Sequence, residues 1–296
     1  MRKILLASTA LVALTSVSAM AADVTISGSA SLIYKTDDNN EPSNGDTGSA
    51  STMSSETDVN ISFSNTTDSG ITATLNAGFD EGSNTDDATA TISGDFGTIK
   101  IIPQGADSNY VVSYDETYDK AGEGTGGEAF NLDGATGESI GYQLPSIVDG
   151  LTLAVQHSNE DDSESFGYGA SFDAGVAKLG YAKMSNNTTD YTSINLSGSV
   201  SGLGFGIEQN KIEEGTSQDE ATLWGISYSM DAITLAYESG SAENESGDVE
   251  DYSQIAVSYA VAPGITTVIT SSEVNDIDGS NAADVEELEI QLKLSF

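Results

Sequence analysis

The sequence predicts an all-β chain whose sixteen antiparallel strands close into a transmembrane barrel. Three observations support this fold class. Apolar and polar residues alternate along most of the chain, and short and long connections alternate between the segments that show this pattern. After the N-terminal segment, no apolar run is long enough to span a membrane as a helix.

The last segment shows the alternation most clearly. From Leu288 to Phe296, every even position is apolar and every odd position is polar. A period of two places all apolar side chains on one face of a strand. Val24 to Leu32 follows a similar pattern, with polar side chains at each odd position. A disordered acidic chain would not sustain such order, so we predict β-structure throughout.

Connections of two lengths separate these segments. Tight ones are clusters of turn-forming residues, such as Asp68-Ser69-Gly70, whereas long ones are acidic and rich in Gly, Asn and Ser, such as Lys35 to Ser55. Both termini then lie on the side of the tight turns, as in a membrane barrel. The sixteen predicted strands are 24–35, 56–66, 70–79, 87–94, 97–103, 138–144, 150–158, 164–173, 175–184, 189–200, 203–211, 219–230, 232–240, 251–262, 264–274 and 284–296.

The two faces of the strands favour a membrane barrel over an exported β-sandwich or β-solenoid. The face expected inside carries Ser, Thr, Gly, Asn, Gln, Glu and an occasional Lys, whereas a sandwich needs large apolar residues there. Because sixteen strands enclose too wide a space to fill with side chains, a polar inside predicts an aqueous channel. Aromatic residues near strand ends are expected to form interfacial girdles: Tyr34, Phe79, Tyr181, Tyr237 and Phe296.

The N-terminal segment has the features of a secretory signal peptide. Arg2 and Lys3 precede a mostly apolar run from Ile4 to Val17, and Ser18-Ala19-Met20-Ala21 ends in a cleavage-site pattern. A short membrane anchor is the alternative, but the run falls short of the roughly 20 residues that a spanning helix needs. We therefore predict a signal peptide at residues 1–21 and one barrel domain at residues 22–296.

The composition excludes several classes of function. Nine basic and 47 acidic residues give a formal net charge of −38, which excludes nucleic-acid binding because phosphates require Lys or Arg. The absence of cysteine excludes disulfides and thiol catalysis. The single histidine, His157, has the parity of the outward-facing Leu151, Leu153 and Val155, so no Ser/His or Asp/His constellation is expected. We predict a protein that is not an enzyme and needs no cofactor.

Three segments resemble a known family. Ala22 to Ala30, the strand–turn–strand segment Ile92 to Lys100, and the terminal strand Leu288 to Phe296 are similar to those of Gram-negative outer-membrane general porins of the alphaproteobacterial type. The resemblance implies a homotrimeric, water-filled channel in the outer membrane, surrounded by lipid and lipopolysaccharide and open to small hydrophilic solutes and ions. It also implies that the loop after the fifth strand folds into the barrel, and that Phe296 acts as an assembly signal.

By position, that inward loop corresponds to Gln104 to Gly137, the longest connection in the chain. It contains a single lysine, Lys120, and seven acids that are candidates for the pore constriction: Asp107, Asp115, Glu116, Asp119, Glu123, Glu128 and Asp133. A solvated outer loop is the alternative. General porins usually oppose their loop acids with arginines, but here Arg2 in the signal peptide is the only arginine. The candidate wall cations are Lys100, Lys35, Lys178 and Lys293.

The resemblance and the charge together predict a cation-preferring channel for passive diffusion of small hydrophilic solutes. A substrate-selective channel for a sugar or similar solute is the first alternative, although it would want aromatic residues along the lumen. An exported adhesin or surface protein is less favoured, because no module of fixed period is found. Calcium bound by paired loop acids such as Asp37-Asp38 is the less favoured alternative to solvated carboxylates, since no known calcium-loop spacing is present.

Processing provides the first test. Cleavage after Ala21 or Ala22 should leave a mature chain that begins at Ala22 or Asp23. N-terminal sequencing of the protein from outer membranes measures this directly, and a chain that still began at Met1 would contradict the prediction.

Overall fold

The strands form one closed antiparallel barrel in a computed structural model that describes residues 23–39, 50–79, 88–103, 138–160, 163–243, 249–276 and 285–296. Each strand pairs with its neighbours in the chain, and β1 pairs with β16, which confirms the predicted fold class and strand count. No helix in the described ranges is long and apolar enough to cross a membrane. The strands are β1 Asp23–Asn39, β2 Ala50–Thr66, β3 Thr72–Phe79, β4 Ala88–Gly94, β5 Gly97–Ile102, β6 Glu138–Gln143, β7 Leu151–Glu160, β8 Ser163–Asp173, β9 Ala177–Ser185, β10 Thr189–Val200, β11 Leu203–Glu214, β12 Ser217–Met230, β13 Ile233–Glu243, β14 Val249–Ala262, β15 Ile265–Asp276 and β16 Val285–Ser295.

The seam between β1 and β16 closes on the terminal residue. Gly28 N–H donates to the Phe296 carbonyl at 3.2 Å, and Phe296 N–H donates to the Gly28 carbonyl at 3.1 Å. A Cβ at position 28 would lie 2.8 Å from the Phe296 ring, so glycine makes room for this ring on the outer face. The C-terminal aromatic residue therefore completes the ladder that closes the barrel.

Tight turns at one rim join successive strands. Ser201 and Gly202 connect β10 to β11, and both have positive φ values, of 51° and 83°. Two positive φ values in a two-residue loop are the signature of a type I′ turn, whose twist matches that of the flanking strands. A Cβ at position 202 would also lie 2.7 Å from the Ser229 carbonyl oxygen, so glycine is favoured there for two reasons.

Strand lengths differ around the barrel and partly correct the predicted boundaries. β1 and β2 have 17 residues each and extend into the stretch Lys35 to Ser55 that was predicted to be a long connection. Their ladder continues to the pair Asp37–Ala50, because the short polar side chains there do not interrupt backbone pairing. β11 and β12 also exceed their predicted lengths and are joined by Gly215 and Thr216 alone. By contrast, β3 to β6 have only six to eight residues each.

The two faces of the wall have opposite polarity. On β16, the outward-facing Leu288 and Leu292 are 41% and 39% exposed, whereas the inward-facing Glu289 and Gln291 are 6% and 3% exposed. This is the reverse of a water-soluble sheet, in which the apolar face is the buried one. An apolar outer band and a polar interior are the features of a membrane-spanning barrel.

Aromatic residues lie mostly on the outer face, as expected. All five residues predicted for the girdles have outward parity: Tyr34, Phe79, Tyr181, Tyr237 and Phe296. The interior is less uniformly polar than expected, because Ile33, Leu223 and Tyr252 are buried on the inner face. The predicted inward fold of the loop after β5 concerns residues 104–137, which lie outside the described residues.

The polarity of the faces predicts unequal effects for arginine at adjacent positions. Ile61 faces outward in the middle of the apolar band between Ile26 and Ala77, whereas Asn60 faces the lumen and is exposed. Ile61→Arg should lower the free energy of unfolding by about 2–4 kcal/mol, because it places a charge in lipid near the midplane. Asn60→Arg should leave this free energy nearly unchanged and alter conductance.

Guanidinium titration of the barrel in lipid vesicles measures this difference. Equal destabilisation by the two arginines would show that the assignment of faces is wrong.

Candidate pore wall

The inner face of the barrel is built from every second residue of each strand. On β7 to β16, most of these side chains are buried and many are polar. The cross-strand registers bring them into rows, so that residues distant in sequence form small groups. Buried polar residues of this wall include Gln156, Ser158, Ser193, Asn195, Glu208, Asn210, Glu238, Gln254, Thr270, Ser272, Glu289 and Gln291.

A compact polar patch lies on β10 and β11. Ser193 is opposite Asn210 and Asn195 is opposite Glu208 in the ladder. Asn210 Nδ2 donates to Glu208 Oε1 at 2.8 Å, while Asn210 Oδ1 and Ser193 Oγ are buried with no hydrogen-bond partner among the described residues. Both oxygens can accept hydrogen bonds but are buried in the wall.

Small residues make space for this patch. Gly180 on β9 is opposite Asn195, and a Cβ at position 180 would lie 2.4 Å from Asn195 Oδ1. Ala182 and Ala221 flank Ser193 and Asn210 on the two outer sides. The carboxylate and amides are therefore buried between small residues on β9 and β12, except that Leu223 lies directly opposite Glu208.

A second polar group lies on β13 and β14. Glu238 is opposite Gln254, and the Tyr252 hydroxyl donates to Gln254 Oε1. Glu238 and Gln254 are nearly completely buried, at 3% and 2% exposure. This group adds a second carboxylate to the wall, two strands from Glu208.

A charged cluster lies where β16 meets β1. Lys35 Nζ lies 3.4 Å from Glu287 Oε1 and 3.4 Å from Glu289 Oε2. Glu289 is directly opposite Lys35 in the ladder. One lysine thus balances two carboxylates that would otherwise repel each other across a short distance.

Further acids extend this cluster onto β2. Glu56 and Asp58 face the lumen there, and Ser29 Oγ donates to Asp58 Oδ2 at 2.9 Å. Lys293 also faces inward and is opposite Ser31, which in turn is opposite Glu56. Among the side chains that the structure describes, the inner faces of β16, β1 and β2 therefore hold four carboxylates and two lysines in this region.

The remaining lysines divide between the faces. Lys100 has inward parity between Ile99 and the outward-facing Ile101, and Lys178 has inward parity at the rim of tight turns. Lys183 and Lys211 face outward, where Lys183 Nζ lies 2.8 Å from Asp190 Oδ2 and Lys211 Nζ lies 2.9 Å from Glu213 Oε1. Of the six lysines that the structure describes, the four with inward parity are the four proposed from sequence.

The seven loop acids proposed for the constriction lie outside the described residues, as does Lys120. The acids Glu56, Glu208, Glu238 and Glu289 were not among the candidates, although each occupies an inward position. Parity alone could have placed these residues inside. Their partners could not be found this way, because the pairing depends on the register of neighbouring strands.

This wall offers binding groups but no catalytic arrangement among the described residues. His157 is exposed on the outer face, opposite Ile140 and Phe166, neither of which can exchange a proton with it. Within the described ranges, no group of three His, Cys, Asp or Glu residues could hold a metal ion. The geometry suits passage of water and polar solutes along hydrogen-bonding and negatively charged side chains.

Comparison with known proteins also indicates a channel-forming outer-membrane barrel. A family model described as Gram-negative porin matches residues 7–279, whereas no curated protein matches the chain. An anion-selective porin from Comamonas acidovorans is 13% identical, with a TM-score of 0.69 over 93% of this chain and 100% of that one. The trimer form of OmpT from Vibrio cholerae is 12% identical, with a TM-score of 0.70 over 92% and 99%. A triple mutant of the Rhodopseudomonas blastica porin is 16% identical, with a TM-score of 0.63 over 93% and 100%.

The cluster around Lys35 predicts a measurable coupling. Lys35→Met should lower the free energy of unfolding by about 1–3 kcal/mol, because it leaves Glu287 and Glu289 without their cation. A second substitution, Glu289→Gln, should restore part of the loss. A double-mutant cycle in guanidinium measures this coupling.

Lys211→Met is the matched control. Lys211 forms its ion pairs on the exposed outer surface, so its loss should change stability by less than about 1 kcal/mol. Additive effects of Lys35→Met and Glu289→Gln would show that the inner cluster is not energetically coupled.

Proposed function

Because this chain belongs to the Gram-negative porin family, a class of outer-membrane channels for passive diffusion, we propose that it is a cation-preferring general porin. The permeant solutes in this proposal are small hydrophilic molecules and ions, with outer-membrane lipid and lipopolysaccharide around the barrel. The channel works without a cofactor, since diffusion through water involves no chemical step. Calcium in the acidic outer loops is not needed for it.

The observation that supports cation preference is the charge of the inner wall. The region of β16, β1 and β2 carries four carboxylates and two lysines, and Glu208 and Glu238 add further carboxylates on β11 and β13. The whole sequence has a formal net charge of −38. A narrow channel in a low-dielectric wall concentrates counter-ions, and Asp and Glu side chains are a common basis of cation preference.

The constriction in this proposal is formed by the loop Gln104 to Gly137. Its acids Asp115, Glu116 and Asp119 cluster in the middle of the loop sequence, beside two tyrosines, and we assign them the main role in selectivity. The supporting acids are Asp107, Glu123, Glu128 and Asp133, and the opposing wall cations are Lys35, Lys100, Lys178 and Lys293. With no arginine after Arg2, the opposing wall is weakly basic.

The sign of selectivity follows from side-chain charge and not from the fold. The Comamonas acidovorans porin is described as anion-selective, yet it shares this fold at only 13% identity. A barrel fixes the pore's width and the positions of its wall residues, while the residues at those positions set its potential. We therefore base the proposed sign on this chain's own acids.

Assembly and export complete the proposal. We assign a homotrimer, supported by the Vibrio cholerae OmpT structure in its trimer form. The segment at residues 1–21 acts as a cleaved signal peptide, consistent with its basic start and apolar run. The alphaproteobacterial type is assigned from the three segments that resemble such porins.

Selectivity is tested by the zero-current potential across a planar bilayer that separates dilute from concentrated KCl. The purified protein should give a potential whose sign shows potassium preferred over chloride, and the preference should strengthen as salt is lowered, because screening weakens. Neutralising Asp115, Glu116 and Asp119 together as Asn, Gln and Asn should reduce it.

A matched triple variant controls for net charge. Replacing Asp276, Asp278 and Asp284 by Asn removes three acids from the last residue of β15 and the connection to β16, and should change the potential less. Chloride preference in the wild type would refute cation selectivity. Equal effects of the two triple variants would remove the three loop acids from the constriction.

A further inference from the structure

A polar groove opens on the outer surface of the barrel, just above the apolar band. It has a volume of about 450 Å³ and is lined from β12, β13, β14 and β15. Its outward-facing lining includes one tryptophan, several hydroxyl side chains, one carboxylate and one amide: Thr222, Trp224, Ser239, Ser241, Asp251 and Asn275. Grooves that combine an aromatic surface with a few polar groups are typical binding sites.

The strand registers arrange this lining in two rows. Thr222, Ser241, Asp251 and Asn275 are successive cross-strand neighbours in the upper row. In the lower row, Trp224 is opposite Ser239, and Ser239 is opposite Ser253. Because serine is short, the middle of the groove is low, while Trp224 forms one edge and Asp251 and Asn275 the other.

The groove lies at the level where the membrane meets water. The next row below it is largely apolar and contains Ile226, Tyr237 and Ile255. The Trp224 ring lies 5.4 Å from the Tyr237 ring at an interplanar angle of 54°, and Trp224 is 43% exposed. Trp and Tyr residues concentrate at the headgroup level of membranes, so a lipid headgroup is the neighbour that this position provides.

The charges around the groove exclude a phosphate headgroup. No lysine lines it, and Lys211 on the adjacent strand β11 is held 2.9 Å from Glu213 Oε1 and 3.8 Å from Glu220 Oε1. Asp251 lies in the groove, and Glu273 is opposite Ser253 at its edge. An anionic headgroup would meet two carboxylates and no free cation, which is unfavourable.

An uncharged sugar matches the same surface. Its hydroxyl groups both donate and accept hydrogen bonds, as the Ser, Thr, Asp and Asn side chains here require. Its C–H face is apolar enough to lie against an aromatic ring, and Trp224 supplies one at the membrane side of the groove.

We propose that this groove binds the uncharged sugar headgroup of a glycolipid in the outer leaflet. In this arrangement the acyl chains lie along the apolar rows below and the sugar rests on Trp224. Asp251 accepts hydrogen bonds from its hydroxyls, and Asn275 both accepts and donates them. The site is on the outer face and does not depend on the proposed ion selectivity.

Intrinsic tryptophan fluorescence reports on this site without a label, because Trp224 is the only tryptophan in the chain. The full-length mature protein is placed in phosphatidylcholine nanodiscs and titrated with monoglucosyl diacylglycerol or with phosphatidylglycerol of the same acyl chains. We expect a saturable change in Trp224 fluorescence with the glucolipid, with half-saturation at about tenfold lower mole fraction than any change with phosphatidylglycerol.

Two threonines provide a matched pair of variants. Thr222 lies two residues beyond Trp224 in the groove, and Thr36 lies two residues beyond the outward-facing Tyr34 on β1, on the same side of the apolar band. Thr222→Leu should abolish the saturable response, whereas Thr36→Leu should retain it. Asp251→Asn serves as a second groove variant and should weaken the response if Thr222→Leu does not fold.

Native mass spectrometry of the same samples counts retained lipids independently of fluorescence. Retained glucolipid in the wild type and its loss in the groove variants would support the proposal. Equal responses to both lipids, no response to the glucolipid, or an unchanged response in the groove variants would overturn it. None of these outcomes bears on the ion selectivity measured in KCl.

Discussion

The structure depends on one constraint, which is that backbone N–H and C=O groups cannot remain unpaired in lipid. Each strand here pairs on both sides with a neighbour, and the seam between β1 and β16 removes the two edges that a sheet would otherwise expose. The paired bonds between Gly28 and Phe296 bring that seam to the last residue. Closure fixes the strand registers, and the registers determine which side chains meet.

The alternation of residues along each strand determines which side chains face the lumen of the closed barrel. Since adjacent residues face opposite ways, the same strand supplies leucines to lipid and carboxylates to the lumen. The register between β16 and β1 brings Lys35 to Glu287 and Glu289, and the register between β10 and β11 brings Asn195 to Glu208. The charge of the pore wall is therefore a property of pairing as much as of composition.

The alternation of apolar and polar residues made the fold predictable from sequence, and also the face of the strand on which most residues lie. Leu288 to Phe296 is the clearest case. The length of β1 and β2 was not predictable, because Ser, Thr and Asp residues between 36 and 55 are as common in loops as in polar strand ends. Tyr252 and Leu223 were unexpected inside, since large apolar residues suit either face of a wide barrel. The outer groove requires three registers at once, and no single segment shows it.

The central claim is a closed barrel with a water-filled interior. The most direct test is to measure how accessible successive positions of one strand are to a water-soluble reagent. The chain has no cysteine, so each introduced cysteine is unique. Single cysteines at positions 58 to 63 of β2, in membranes, should alternate in their reaction with a hydrophilic, membrane-impermeant maleimide. Positions 58, 60 and 62 should react from the lumen, while positions 59, 61 and 63 should be protected by lipid. Reaction at every position, or protection at every position, would contradict the account.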